Sequence, residues 1–276
     1  MTRSARQFEM QLDIQSPPDT VWQAITEARE IARWFAPDVI AEPRVGGRLV
    51  WQWGQAHIWT QTIEAFEPGR HLRTRYDSVV DDGKGGKKPL FVDFHLEGHG
   101  GATTLRLVHS GFGPEADFDA EYHGISGGWP VELRSLRLYL QRHRGRDRML
   151  AWSTCSTALS PDAAWQRLAA RDALAAPGLM ESREGAPFSV EAPGVGTISG
   201  TTLFAPGRRE FSGLAANLDD GWFRVHCEHW NGATQIWLWL AVYDGTRARV
   251  DRYQRGFDQL LQRLFAASPA GAERSA

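Results

Sequence analysis

One short pattern occurs twice in this chain. Residues 14–26 read IQSPPDTVWQAIT and residues 158–170 read ALSPDAAWQRLAA, so both carry a Ser-Pro step and Pro-Asp-x-x-Trp-Gln. Asp19 and Trp22 answer Asp162 and Trp165. Proline costs no hydrogen bond in the first turn of a helix and its fixed φ suits that position, so each copy predicts a strand running into a short amphipathic helix. The segments downstream of the two copies are also alike in kind. The predicted domains are 1–147 and 148–268, joined near the polar, glycine-broken run QRHRGRDR (141–148), with 269–276 as a disordered tail.

After the first copy, strand-like runs are expected at 38–42, 48–53, 57–66, 71–77, 90–97 and 103–109, separated by glycine-rich or charged breaks. VDDGKGGKKP (80–89) reads as a long, mobile hairpin tip. Trp129, Leu133, Leu136 and Leu140 then fall on one stripe of a helix over roughly 129–142. After the second copy the strands are expected at 188–191, 196–204, 209–218, 222–228 and 234–242. There the closing helix carries Val250, Tyr253, Phe257, Leu260, Leu261 and Leu264. An antiparallel sheet must cover its dry face, and the terminal helix is the available cover. The expected class is therefore α+β: two helix-grip units, each a curved antiparallel sheet wrapped around a long C-terminal helix. A cavity between sheet and helix is a natural binding volume in such a unit.

RWFAPDVIAEPRVGGRLVW, IEAFEPGRHLRTRY, LVHSGF and GWPVELRSLRLYL together resemble the START/Bet v 1-like (SRPBCC) superfamily, and within it the activator of Hsp90 ATPase homologue family. The matching elements are Trp34–Phe35, Pro43 with Gly46–Gly47, Glu64, Glu67–Pro68, His109 with Gly111–Phe112, and Gly128–Trp129. They cover about residues 8 to 142. The second half departs from the pattern: ALAAPGLM (173–180) stands where the Trp-Phe pair would be, and VYDG (242–245) replaces His-Ser-Gly-Phe. It reads as a second, diverged unit of the same kind. The resemblance implies a Bet v 1-like fold and the binding of hydrophobic ligands; a chaperone-associated role would follow from fold analogy alone.

Twelve tryptophans among 276 residues point to aromatic-lined cores or cavities. Trp51 and Trp53 lie two apart on one strand and share a face; Trp59 and Gln61 share a face on the next, with Ile58, Thr60 and Thr62 opposite. Facing inward, Trp51, Trp53 and Trp59 would wall the cavity, with Trp34 and Phe35 at its mouth. Tyr76, Phe94, His109 and Trp129 complete the candidate ligand-binding set, and core packing is the alternative reading of the same rings. His109 follows Leu105 and Leu107 on a buried face, where histidine ordinarily bonds a backbone carbonyl. Phe94, Val92 and Leu96 should be buried, which sends Asp93, His95 and Glu97 toward solvent. Gly46 and Gly47 read as a turn needing tight or left-handed backbone.

Other chemistry finds little support. HCEH (226–229) on a strand places two candidate ligands on each face, which does not close a tetrahedral zinc site, so no metal is expected. Tyr76, Asp77 and Glu64 are acid–base types that nothing in the sequence brings within reach of one another, so no catalytic residue is assigned. GVGTISG (194–200) and GKGGKK lack the dinucleotide and phosphate-loop spacings, and no G-x-S-x-G elbow occurs, so no cofactor is expected. A formal net charge of -2 from 33 acidic and 31 basic side chains gives no reason to expect nucleic acid, and the arginine run lacks interleaved aromatics. Two distant cysteines, no apolar leader and no apolar run of about 18 residues suggest a cytoplasmic, membrane-free protein, monomer or homodimer. Three readings stay open: a carrier or sensor of a hydrophobic small molecule, a protein-interaction module, and an enzyme acting on an apolar substrate in the same cavity. The first is favoured and no reaction is defined.

Overall fold

The computed structural model describes residues 5–54, 57–174, 179, 182–192, 196–207, 209–230 and 232–265. The chain divides into two compact units, Met1–Asp147 and Arg148–Ala276. The tail expected at 269–276 lies outside the described residues.

In the first unit, β1 (Arg6–Ile14) leads into α1 (Pro18–Thr26) and α2 (Ala28–Ala32). An antiparallel meander comes next: β2 (Asp38–Ala41), β3 (Arg48–Trp53), β4 (His57–Glu67), β5 (His71–Asp81), β6 (Lys87–His99) and β7 (Ala102–Phe112). β1 joins β7, so the sheet order is β1-β7-β6-β5-β4-β3-β2. Period-2 alternation sends one set of side chains inward. Leu49 and Trp51, Gln61 and Ile63, Leu72 and Thr74, Leu90, Val92 and Phe94, and Leu105, Leu107 and His109 are all buried. Across this face lies α3 (Asp119–Leu138), which continues as a single π turn (Tyr139–His143) and buries Ile125, Trp129, Leu133 and Leu136. Each such side chain contributes about 1.5–3 kcal/mol on leaving water.

Two expectations change here. α3 starts at Asp119, well before Trp129. Gly124, Gly127, Gly128 and Pro130 lower helix propensity and hid the first turns. Burial of Phe118, Ile125 and Trp129 overrides that local cost. The long hairpin tip is instead a tight turn between Asp81 and Lys87, where Asp82 Oδ1 accepts from the N–H of Lys84 at 2.6 Å and of Gly86 at 2.9 Å. The Gly46–Gly47 turn does need its glycines. Gly46 has φ +76°, and a Cβ on Gly47 would stand 2.0 Å from the Glu42 carbonyl oxygen. The turn is tied to β4 by Gly46 N–H to Ile63 O and Ile63 N–H to Gly47 O, both 2.8 Å. It sets where β3, and hence Trp51, enters the sheet.

Among the described residues the second unit repeats the plan with one strand fewer: β8 (Met149–Thr157), α4 (Pro161–Ala169), β9 (Pro187–Ala192), β10 (Gly196–Gly207), β11 (Glu210–Ala215), β12 (Gly221–Trp230), β13 (Ala233–Val242) and α5 (Arg247–Phe265). The antiparallel order is β8-β13-β12-β11-β10-β9. The strand expected over 209–218 stops at Ala215, and a 3₁₀ turn at Ala216–Leu218 leads into left-handed Asp219 and Asp220, φ +55° and +54°. Inside, Val190, Ile198, Phe211, Phe223, Val225, Ile236, Leu238 and Leu240 pack with Val250, Tyr253, Phe257, Leu260, Leu261 and Leu264. The chain is thus a tandem of helix-grip arrangements, two antiparallel sheets each packed against a long helix. Among the described residues no helix is long and apolar enough to cross a membrane.

Candidate functional site

The aromatic residues singled out in the first unit form one connected group. Trp34 and Phe35 come just after α2 and are fixed from both sides: Trp34 Nε1 donates to Ala24 O, and Ser135 Oγ of α3 donates to Trp34 O, each at 2.8 Å. Phe35 is the hub, with ring centroids 5.0 Å from Trp34, 4.8 Å from Trp51, 5.0 Å from Trp53 and 5.8 Å from Trp129. Trp51 meets Trp129 at 6.0 Å and Trp59 at 6.4 Å; Trp59 stacks on Tyr76 at 5.8 Å. Phe94 and His109 join through Trp129 at 5.7 and 6.3 Å. Edge-to-face and offset pairs of this kind add about 0.5–1.5 kcal/mol each beyond the area they bury. Trp51, Phe94, His109 and Trp129 are buried, Trp53 and Tyr76 are half-buried, and Trp59 is 37% exposed. Trp59, near the start of β4, therefore stands at the rim of the group.

A polar thread runs through these rings. Trp129 Nε1 donates to His109 Nδ1 at 2.9 Å. Indole N–H only donates, so Nδ1 carries no proton and the network assigns the neutral ring's proton to Nε2. His109 Nε2 lies 2.9 Å from Tyr76 Oη. Burial alone pushes His109 down to about 3, so the ring stays neutral at physiological pH. Burial, and then the Glu121 charge, push the Tyr76 hydroxyl well above its ordinary range. His109 is thus held by two side chains; the backbone carbonyl expected from its sequence context is not its partner.

Further polar groups stand on the same inner face. Thr74 Oγ1 donates to Gln61 Oε1 at 2.6 Å, while Gln61 Nε2 and Trp51 Nε1 are buried without a hydrogen-bond partner. The period-2 pattern on β5 is signal enough to find Thr74. Glu121 is hidden in the sequence because it lies in the helical turns that glycine and proline obscure. Its carboxyl, raised by burial, accepts from the Val79 N–H at 3.4 Å.

The remaining candidates separate. Glu64 pairs with Arg73 at 3.3 Å and Asp77 with Arg75 at 3.1 Å, so neither joins Tyr76. Asp93 was expected to face solvent and is 5% exposed. Arg73, lying 4.3 Å over the Phe91 ring, bonds it at 2.7 Å, and His71 bonds it at 2.8 Å. His71, Asp93 and His95 bring ligand-type atoms within 4.8 Å of one another on the outer sheet face. The two imidazoles are stacked, 4.4 Å apart and 3° from parallel. Their in-plane lone pairs therefore do not converge on one point, and Arg73 already occupies the carboxylate, so this geometry does not hold a cation. In the second unit, His226 of HCEH lies between Glu210 at 2.5 Å and Glu228 at 3.4 Å, with Arg224 donating twice to Glu210 at 2.9 Å. Burial opposes the imidazolium, but the two carboxylates outweigh it and push His226 up to about 9. This is an ion-pair network on the sheet's outer side.

A family model described as activator of Hsp90 ATPase homolog 1-like protein matches residues 15–141. No curated protein matches the chain. Among solved structures, the chain is similar to protein MLL2253 from Mesorhizobium loti at 26% identity, over 50% of this chain and 99% of that one, TM-score 0.45. The Aha1 dimer from Colwellia psychrerythraea aligns at 20% identity over 51% and 99%, TM-score 0.43. DynU16, a putative protein in the dynemicin biosynthetic locus, aligns at 17% identity over 91% and 93%, TM-score 0.42. With a meandering antiparallel sheet gripping a long helix in each unit, this chain has a Bet v 1-like, SRPBCC-type fold related to the activator of Hsp90 ATPase homologues.

Proposed function

We propose that the first unit binds a hydrophobic small molecule between its sheet and α3, with Trp34, Phe35, Trp51, Trp53, Trp59, Tyr76, Phe94, His109 and Trp129 as the surrounding residues, and that this unit belongs to the activator of Hsp90 ATPase homologue family. The family assignment is supported by the match over residues 15–141. The binding reading is carried by one observation: Trp51 Nε1 and Gln61 Nε2 are buried and unpaired within a connected aromatic group that reaches the surface at Trp59. A filled core satisfies such donors, since each one left unmade costs about 1–3 kcal/mol. Trp165 Nε1 and Thr202 Oγ1 of the second unit are also unpaired, so a single orphan atom does not mark a site. What distinguishes the first unit is that the orphan indole of Trp51 lies in the ring group that holds Tyr76, His109 and Trp129.

Thermal unfolding with 2-ethylnaphthalene as probe tests this reading. A ligand at 100 times its Kd stabilises the native state by about 2.7 kcal/mol, a shift of several degrees for a unit of this size. An unmoved transition, together with no co-purified small molecule in native mass spectrometry, would overturn it. A protein-contact role is a second reading, favoured by Ile40, Val45 and Ile58, which are 51%, 61% and 50% exposed at the β2–β4 end of the sheet. Replacing all three with serine would then abolish association with the partner and leave 2-ethylnaphthalene binding intact.

A further inference from the structure

The polar end of the aromatic group has a direction. Trp129 can only donate, so its bond fixes His109 Nδ1 as an acceptor and Nε2 as a donor. The Nε2 proton goes to Tyr76 Oη at 2.9 Å, which makes the Tyr76 oxygen an acceptor in that bond. The hydroxyl proton of Tyr76 is then left over. Among the described residues no acceptor bonds it; Glu121, the nearby carboxyl, accepts from the Val79 N–H. Trp51 Nε1–H and Gln61 Nε2–H lie unspent on the same inner face. If the Gln61 amide were turned over, Thr74 would take its N–H and one oxygen would be freed, but Tyr76 and Trp51 would still be donors. The wall therefore offers O–H and N–H groups between planar rings.

We propose that the first unit's site takes a planar aromatic ligand bearing a hydrogen-bond-accepting oxygen, a ketone or ether-like oxygen without a proton of its own, and that Tyr76 donates to that oxygen. This ligand class rests on the first unit being a binding site for a hydrophobic small molecule. A donor such as an ammonium would face the hydrogens of Tyr76 and Trp51, and burying it would cost its solvation. Because burial keeps His109 neutral down to about 3, the Trp129–His109–Tyr76 order persists through the physiological pH range.

Three probes of one shape separate the possibilities: 2-acetylnaphthalene (acceptor), 2-ethylnaphthalene (neither) and 2-(aminomethyl)naphthalene (cationic donor), with Kd measured on the full chain by calorimetry. The wild type should prefer the ketone over the hydrocarbon by roughly 5-fold, as one net hydrogen bond gives, and should bind the amine most weakly. Tyr76→Phe should bring the ratio of ketone to hydrocarbon affinity to about 1. A second readout needs no variant: the infrared carbonyl stretch of carbonyl-13C-labelled 2-acetylnaphthalene should fall on binding to the wild type, relative to its value in cyclohexane. Equal affinity for ketone and hydrocarbon with an unshifted carbonyl would overturn the inference and leave the first unit's binding role standing. A preference that survives in Tyr76→Phe would overturn the assignment to Tyr76. No binding of any probe would overturn both.

Discussion

The two units share a plan and differ in what their sheets face. The second unit's inner side is built from aliphatic and phenylalanine side chains around Phe257, and its charged groups, Glu210, Arg224, His226 and Glu228, lie on the opposite side of the sheet. The first unit carries its polar groups inside, threaded among indoles: Gln61 and Thr74, Tyr76, His109, Trp129. The second unit holds its helix with a largely hydrophobic interior whose polar contacts, Ser153 with Asp258 and Gln254, involve no indole or histidine. A polar thread through indole and histidine rings is therefore not a requirement of the fold, and that difference is the physical reason to look for a site in the first unit.

The largest effect expected is on packing. Trp129→Ala removes the ring that joins Phe35, Phe94 and His109, and Phe257→Ala removes the centre of the other core; each should destabilise its own unit by about 3–5 kcal/mol. The two variants should differ in binding: calorimetry should show probe binding lost in Trp129→Ala and retained in Phe257→Ala. Loss in both would erase the contrast between the units.

The units should also respond oppositely to pH. His109 has a lowered folded pKa, so its contribution is full above the unfolded value near 6.5 and is lost as pH falls below it. His226 has a raised folded pKa, so its contribution is full below about 6.5 and is lost as pH rises through about 9. Calorimetric scans should show the first unit's transition falling from pH 6.5 toward 5 and the second unit's falling from pH 6.5 toward 9. His226→Gln should flatten the alkaline slope and leave the acid one; parallel slopes for the two transitions would contradict this.

The smallest effect concerns the repeat itself. Ser160 caps α4 by accepting from Ala163 N–H at 3.3 Å, whereas the second proline at 17–18 shifts α1 so that Pro17 takes the cap position and Ser16 makes no cap bond. Ser160→Ala should cost about 1 kcal/mol. Ser16→Ala should cost under about 0.5 kcal/mol by denaturant titration.

Much of the fold is legible in the chain. The repeated Ser-Pro-Asp step, the alternation on β3 to β7 and the stripe from Val250 to Leu264 are local signals, and each fixes an element because one face must leave water. What stays hidden is non-local or opposed to propensity. The first turns of α3 form against Gly124, Gly127 and Gly128 because Ile125 and Trp129 have a sheet to pack on. Asp93 alternates as an outward residue and is buried because His71, and Arg73 folded over Phe91, meet its carboxylate. The hydrogen-bond order Trp129–His109–Tyr76 joins α3, β7 and β5, and no spacing rule carries it.

The measurement closest to the central claim is an indole N–H titration by two-dimensional NMR on the full chain with 2-acetylnaphthalene. Trp51 and Trp129 should shift as the probe is added, while Trp165, an equally buried indole in the second unit, should stay in place. Shifts confined to Trp165, or equal shifts in both units, would contradict a binding site peculiar to the first.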